Sequence, residues 1–375
     1  MQTNFANLTS EQKTIWSLDF WKQARNLSFV NKFLGSDENS LIQHVTELKK
    51  TQKGARAVMT LLTDLEGDGI VGDRTLRGNE EQLKSYDKVI RIDQMRNANI
   101  NEGRMADQKT VVMFRENSRD KLAYWASDRI DQLAFLTMAG LDYSTKLSAV
   151  GATIGRVGSD LPFLEFAADV AAPSSKRFGR WNGTSATKVI EWGTGNGSVV
   201  ATDTPTYGML VQAKAYAKDN YIRGCRDKGG EEVYHVFLSP QAMSKLKLDP
   251  DYLANIRWAR QRGEDNPLFT GDVVRVDGMY LHECRHVPNT RLTPSGQKYG
   301  AAGLVDGCQI LFAGAQALGM ADLGAPSWTE EGFDYENQQG ISVAKTLGFL
   351  KPQFYTQYSG GTTEDFGVLS IYTAQ

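Results

Sequence analysis

Cysteine is scarce in this chain, with only Cys225, Cys284 and Cys308 in 375 residues. Few and odd in number, they form no disulfide framework, and a reducing cytoplasm is their natural setting. A dominant charge is missing as well. The 42 Lys and Arg against 44 Asp and Glu leave a formal charge of −2, which excludes a surface basic overall that grips nucleic acid through many phosphate contacts. It does not exclude a protein that merely encloses nucleic acid. No uninterrupted apolar run approaches the ~20 residues that cross a bilayer. The start, Met-Gln-Thr-Asn-Phe-Ala-Asn, has neither the positive n-region nor the apolar h-region of a secretory signal. Glycine (36) and proline (10) are at ordinary levels, well below low-complexity sequence. Hydrophobic residues at 41% and charged residues at 23% describe a globular chain. At about 150 residues per domain it is long enough for two to three domains. The expectation is a soluble protein made in the cytoplasm, with no membrane contact.

Large apolar anchors are spread through the polar first fifty residues: Trp16, Phe20, Trp21, Phe29 and Phe33. Such a segment cannot bury its aromatics on itself. It is either an arm that docks on the body or on a neighbouring subunit, or a short helix of the main core. Residues 54–66 and 86–96 suit strands, the second with period-2 alternation and polar residues on both faces. Between them Gly67-Asp68-Gly69, Gly72-Asp73 and Gly78-Asn79 are turn chemistry. The result is a long two-stranded excursion, and isolated ribbons are marginal in water. It therefore calls for an external surface, which points to assembly rather than catalysis. From Asp107, a plausible N-cap, to Gly140 no Gly or Pro interrupts the chain. Leu122, Ala126, Ile130, Leu133 and Leu136 recur at helical spacing, and Gly140 supplies the stop. This predicts a helix of about 50 Å. Weak strand signals follow at 187–192 and 197–202, then a helix over 208–219 and a buried-type strand over 232–238. A helix capped by Ser239-Pro240 comes next, and a hairpin turning at Asp277-Gly278. Two final strands are expected at 340–349 and 366–372.

Several constellations mimic chemistry. His282-Glu283-Cys284-Arg285-His286 matches the zinc-protease pattern H-E-x-x-H, which needs both histidines on one helix face. Here the residues continue a strand, where the two would stand about 13 Å apart. A zinc metallohydrolase is thus the alternative function, and same-face ligation by His282, Cys284 and His286 fails on the same spacing. Asp64, Glu66 and Asp68 resemble half a calcium loop, but Thr75 stands where the closing acid belongs. Gly193–Ser198 is glycine-rich yet opens no helix that could cradle a phosphate. The cysteines lack a nucleophile's surroundings, and Glu330-Glu331 are adjacent rather than opposed across a substrate. No catalytic residue, cofactor or metal ligand is expected.

Lys49 to Leu141 carries Glu66–Asp73, then Gly78-Asn79-Glu80-Glu81, Ile92-Asp93-Gln94, and the helix with Leu122, Trp125 and Asp131. Tyr234–Pro240, Asn266–Asp272, Trp328 and Phe333-Asp334-Tyr335 follow. In that order these blocks resemble the major capsid proteins of tailed phages of the N4 type, which have the Hong Kong 97 (HK97-type) capsid fold. The resemblance implies an α+β chain with an N-terminal arm (1–48), an extended two-stranded loop (49–103) and a peripheral domain (104–228) with a spine helix over 107–140. An axial domain (229–328) and C-terminal strands (329–375) complete it. It further implies self-assembly into hexamers and pentamers of an icosahedral shell around double-stranded DNA bound without sequence specificity. Scaffolding, portal and decoration proteins are the further partners, and the virion capsid is the destination after assembly in the bacterial host's cytoplasm. Assembly contacts are expected at Asp64, Glu66, Asp68, Asp73, Arg74, Arg77, Glu80 and Glu81 on the loop. On the arm they are expected at Trp16, Trp21, Phe29 and Phe33.

Overall fold

The computed structural model describes residues 10–45, 56–62, 67–81, 85–109, 113–147, 153–155, 159–184, 187–227, 229–259, 274–335, 337–355 and 362–375. The chain opens with helix α1 (Ser10–Leu27), strands β1 (Leu34–Gly35) and β2 (Ile42–Val45), and a ribbon of β3 (Arg56–Leu62) and β4 (Ser85–Arg91). Strand β5 (Asp93–Ile100), helices α2 (Arg104–Lys109) and α3 (Phe114–Ala139), and the small pair β6 (Thr145–Leu147) and β7 (Thr153–Gly155) follow. Next come β8 (Phe178–Asn182), β9 (Val189–Trp192), α4 (Tyr207–Asp219), β10 (Cys225–Arg226), β11 (Glu232–Leu238), α5 (Pro240–Leu248) and α6 (Pro250–Ala259). The remainder is strand: β12 (Val274–Val276), β13 (Met279–Glu283), β14 (Gly307–Ala313), β15 (Leu318–Asp322), β16 (Ser327–Phe333) and β17 (Gln338–Leu350), then β18 (Gln353–Tyr355), β19 (Thr363–Asp365) and β20 (Val368–Ala374).

Two sheets organise these elements. The larger runs β12-β13-β11-β14-β20-β8-β9, with β10 beside β11. Every residue of β14 is buried and β20 nearly matches it, as expected of central strands covered on both faces. The smaller runs β1-β2-β15-β17-β16, and β5 joins it by pairing with β17 over Gly340–Leu347. The division expected at residues 228 and 229 does not coincide with a sheet boundary, because β8, β9 and β10 share the larger sheet with β11–β14.

Helix α3 packs between the two sheets. Its expected stripe of Leu122, Ala126, Ile130, Leu133 and Leu136 is buried, and its last turns are buried nearly all round. The left-handed Gly140 (φ 69°) ends it: its N–H donates to the Thr137 carbonyl, and the Leu141 N–H to that of Leu136, a Schellman stop. The Gln309 amide of β14 donates to the Ala139 carbonyl at 2.9 Å, tying the helix end to the larger sheet.

The helical start differs from expectation. Asp107 lies inside the short α2, and α3 begins only after Met113, whose backbone is extended. Residues 110–112 lie outside the described residues, and α3 at 26 residues is about 39 Å long rather than about 50. The strand expected at 197–202 is absent: Asn196–Ser198 forms a single 3-10 turn, where the glycines offer nothing to pack on a neighbouring strand. Other local signals hold. The Ser239 side chain accepts from the Ala242 N–H at the start of α5, and Asp277 and Gly278 take φ of 47° and 71° between β12 and β13.

Candidate assembly surfaces

Helix α1 lies along α3 and β16. Phe20 and Ala24, four residues apart, are buried among Leu122, Ala123 and Ala126 of α3 and Trp328, Ile341 and Val343 of the smaller sheet. Trp16 is half-buried beside them, its ring 6.0 Å from that of Trp328. The Trp328 indole N–H donates to one Glu330 oxygen at 2.9 Å, and Arg115 donates to the other at 3.0 Å. The guanidinium groups of Arg115 and Arg119 lie near the face of Trp16. Trp21 lies under the Lys345 ammonium at 4.0 Å, a cation–π contact, while Lys345 also pairs with Asp322 and the Gly324 carbonyl.

After α1 the chain turns at a single acid 100 residues away. The buried Asp131 carboxylate accepts from the Ser28 hydroxyl (2.6 Å) and from the N–H groups of Phe29 (2.8 Å) and Val30 (3.1 Å). Burial raises its pKa, and these three donors oppose the rise. The turn aims Phe29 and Phe33 into the body. The two rings stand 5.3 Å apart, and both lie against Phe237 and His282. Behind them His235 Nδ1 and His282 Nε2 share a hydrogen bond at 2.9 Å. Burial pushes both imidazoles down to about 4.

The β3–β4 ribbon has two faces of different character. Ala57, Met59 and Ile90 are buried against Val45, Ala321 and Leu350 of the same chain, so the ribbon's root rests on the smaller sheet and does not lack all support. Two glycines permit this close approach. A Cβ at Gly348 would overlap the Arg91 carbonyl oxygen, and one at Gly319 would press on Ile90 and Met59. On the opposite face Val58 and Val89, directly paired, are exposed. The tip from Gly67 to Glu81 is exposed except for the half-buried Ile70. Its turns are held from within: Glu81 accepts from the Gly67 N–H and Glu80 from the Gly78 N–H, both at 2.7 Å.

Of the residues singled out from sequence, Trp16, Trp21, Phe29 and Phe33 gather along the seat of the N-terminal segment. Asp68, Asp73, Arg74, Arg77, Glu80 and Glu81 stand on the ribbon tip. Asp64 and Glu66 lie outside the described residues, as do 266–272. Sequence reasoning missed Asp131 as a cap, His235, and Lys345 over Trp21. Only an acid on the buried side of α3 hinted at the first.

The catalytic mimics come apart. β13 ends at Glu283, His282 faces His235, and His286 sits in the following turn with Nε2 3.3 Å from Asp128. The two histidines of the zinc pattern therefore have separate partners on no shared helix face, and nothing supports the metallohydrolase alternative. Among the described residues no group of three or more His, Cys, Asp or Glu could hold a metal ion. All three cysteines are buried and free, and burial pushes their thiols up to about 11 or 12, the reverse of an activated nucleophile. Among the described residues no helix is long and apolar enough to cross a membrane.

Two sheets around a long helix, with a projecting ribbon and an N-terminal segment strapped across the outside, are the architecture of phage capsid subunits of the HK97-like fold. The capsid of Ralstonia phage GP4 superposes with a TM-score of 0.73 at 25% identity, over 92% of this chain and 90% of its own. The capsid subunit of cyanophage Pam1 shares the fold with a TM-score of 0.69 at 17% identity, over 100% and 96%. In sequence, the chain is 59% identical over 372 residues to the major capsid protein of Pseudomonas phage KPP25, covering 99% of this chain and 97% of that one. The family described as phage capsid protein matches residues 4–375, and the chain belongs to it. Its members are structural subunits of the virion, packed against copies of themselves in a shell, and are not enzymes.

Proposed function

We propose that this chain is the major capsid protein of a tailed phage of the N4-like type. It builds hexamers and pentamers of an icosahedral shell around packaged double-stranded DNA. The observation that carries the reading is the 59% identity to a phage major capsid protein across 99% of the chain. The charge of −2 supports DNA that is enclosed without sequence-specific contact. In this reading residues 1–48 act as the arm, 49–103 as the extended loop, 104–228 as the peripheral domain, 229–328 as the axial domain and 329–375 as the returning strands. The axial sheet also draws in β8, β9 and β10. The tip charges Asp64, Glu66, Asp68, Asp73, Arg74, Arg77, Glu80 and Glu81, with Trp16, Trp21, Phe29 and Phe33 of the arm, contribute to contacts between subunits. Assembly takes place in the bacterial cytoplasm, with scaffolding, portal and decoration proteins as further partners.

Electron microscopy of the expressed protein tests the reading. Closed shells are expected under assembly conditions, whereas subunits that stay monomeric across all of them refute it. Deleting residues 67–78 is expected to leave a soluble subunit that forms no closed shells, and normal shells from that deletion refute the loop's part in assembly.

A further inference from the structure

In a chain with a formal charge of −2, one groove gathers positive charge. It has a volume of about 540 Å³, lies between α1 and the turn that follows it, and is ringed by Lys22, Arg25 and Lys32. Among the described residues no carboxylate lines it. Lys22 and Arg25 are exposed, and neither makes an ion pair among the described residues. The Lys32 ammonium stands 5.5 Å above the Phe29 ring. Two acids belong to the surroundings. Asp19, three residues before Lys22 on α1, is exposed and outside the lining. Asp131 is buried and already accepts from Ser28, Phe29 and Val30.

The groove also holds a donor without an acceptor. Asn31 lines it, and the Asn31 Nδ2 atom is buried with no hydrogen-bond partner among the described residues. Buried donors are nearly always paired, so an orphan beside three cations marks a place for an anionic oxygen. The arrangement favours a chain of anions over a single one. Lys22 and Arg25 stand one helical turn apart, about 5–6 Å between Cβ atoms, and Lys32 comes from the next segment. Successive phosphates meet such a row one by one. Size separates nucleic acid from an acidic protein helix. A helix 10–12 Å across fills about this volume with a single turn, which is too little to seat one. The volume lies in the range that holds small organic ligands, enough for a nucleotide unit of a strand. Leu18, 52% exposed, and Trp21 give that unit's apolar edge a wall.

We infer that this groove binds the phosphate backbone of nucleic acid, with Lys22, Arg25 and Lys32 on successive phosphates and Asn31 supplying a neutral donor. The inference rests on the proposed shell around double-stranded DNA and adds the place on the subunit where the enclosed nucleic acid is touched. Phosphate contacts carry no sequence information, so the groove holds any sequence alike. In a filled shell the outer side of α1 faces the nucleic acid.

Titrating a short fluorescent DNA duplex onto the unassembled subunit tests the groove. Three neutralised phosphates give a slope of log K against log salt of about −2.7, so affinity should fall about 40-fold between 50 and 200 mM salt. Lys22→Gln, Arg25→Gln and Lys32→Gln together are expected to lower affinity about tenfold or more at 50 mM salt and to bring the slope to about −1 or flatter. Asn31→Ala is expected to lower affinity about threefold with the slope unchanged, which loss of charge alone would not do. Lys245→Gln with Lys247→Gln on α5, both exposed, removes charge elsewhere and should leave affinity within about twofold. Circular dichroism checks folding, and Lys22→Gln with Arg25→Gln replaces the triple variant if that one does not fold. In the second arm, formaldehyde treatment of DNA-filled heads is expected to leave nucleotide adducts on peptides carrying Lys22 or Lys32. A triple variant with unaltered affinity and slope overturns the groove, as do filled heads with no such adduct. Full displacement of the duplex by orthophosphate at equal phosphate concentration overturns it in favour of a lone-anion site. Equal displacement by polyglutamate at equal charge overturns it in favour of an acidic protein. All four outcomes leave the shell-forming role standing, whereas a subunit that binds the duplex through these residues and never forms shells removes that role and keeps the groove.

Discussion

Without its carboxylate, Asp131 would leave two backbone N–H groups and the Ser28 hydroxyl with no acceptor in a buried site. Each such orphan costs about 1–3 kcal/mol, offset in part by the loss of a carboxylate that burial penalises, so Asp131→Ala is expected to lower subunit stability by about 2–4 kcal/mol. Asp131→Asn, which keeps one acceptor oxygen, should cost less, and denaturant midpoints of the two variants make the comparison. The histidine pair beneath Phe29 and Phe33 adds a pH dependence. Two neutral imidazoles can share one proton between them, whereas two imidazolium rings both donate and cannot. His235 and His282 are pushed down to about 4 by burial, with the Lys32 ammonium lowering His282 further. The other polar groups near the pair are Tyr280, which stacks on His235 and hydrogen-bonds Asp227, and Arg275 over that ring. In the unfolded chain both imidazoles titrate near 6.5. Between about 6.5 and 4 the unfolded state therefore binds more protons, so stability falls as the pH drops through that window and levels off below it. Thermal melts of the subunit should show the midpoint about 5 °C lower at pH 5 than at pH 7. His235→Gln with His282→Gln should shrink that difference, and a difference unchanged by the pair of substitutions would count against the account.

At the scale of single elements, the end of α3 is the most demanding junction. Gly140 is left-handed, and a methyl group there would overlap the Ala171 carbonyl oxygen. Gly140→Ala combines αL strain with that clash and is expected to destabilise the subunit by about 2–3 kcal/mol, read from the chemical denaturation midpoint. That stop was visible in the sequence because it is local chemistry, as were the Ser239 cap and the Asp277-Gly278 turn. The arm's aromatics were visible as anchors in need of a surface, but their seat was not. It is built by Trp328, Asp131 and Lys345, which lie between 100 and more than 300 residues from them along the chain. The interruption before α3 escaped because its apolar spacing from Leu122 onward is clear while the residues before it carry no Gly or Pro. The root of the ribbon escaped for a different reason. Ala57 and Met59 are separated by Val58 and Ile90 follows Val89, so polarity does not mark which face is covered, nor does it say whether the cover comes from the same chain or another.

For the molecule as a whole, the ribbon is covered on one side by its own chain and bare on the other. Val58 and Val89 are paired on the bare side and add little to the isolated subunit. Val58→Lys with Val89→Lys should therefore leave its melting temperature within about 2 °C while depressing shell formation, with light scattering and microscopy separating the two effects. The same topology gives the subunit a lever. Seven-residue strands reach about 24 Å, so a swing of 10° where Gly348 meets the Arg91 carbonyl carries the far end through about 4 Å. The close backbone approach that those glycines allow thus governs where the ribbon's distant atoms arrive.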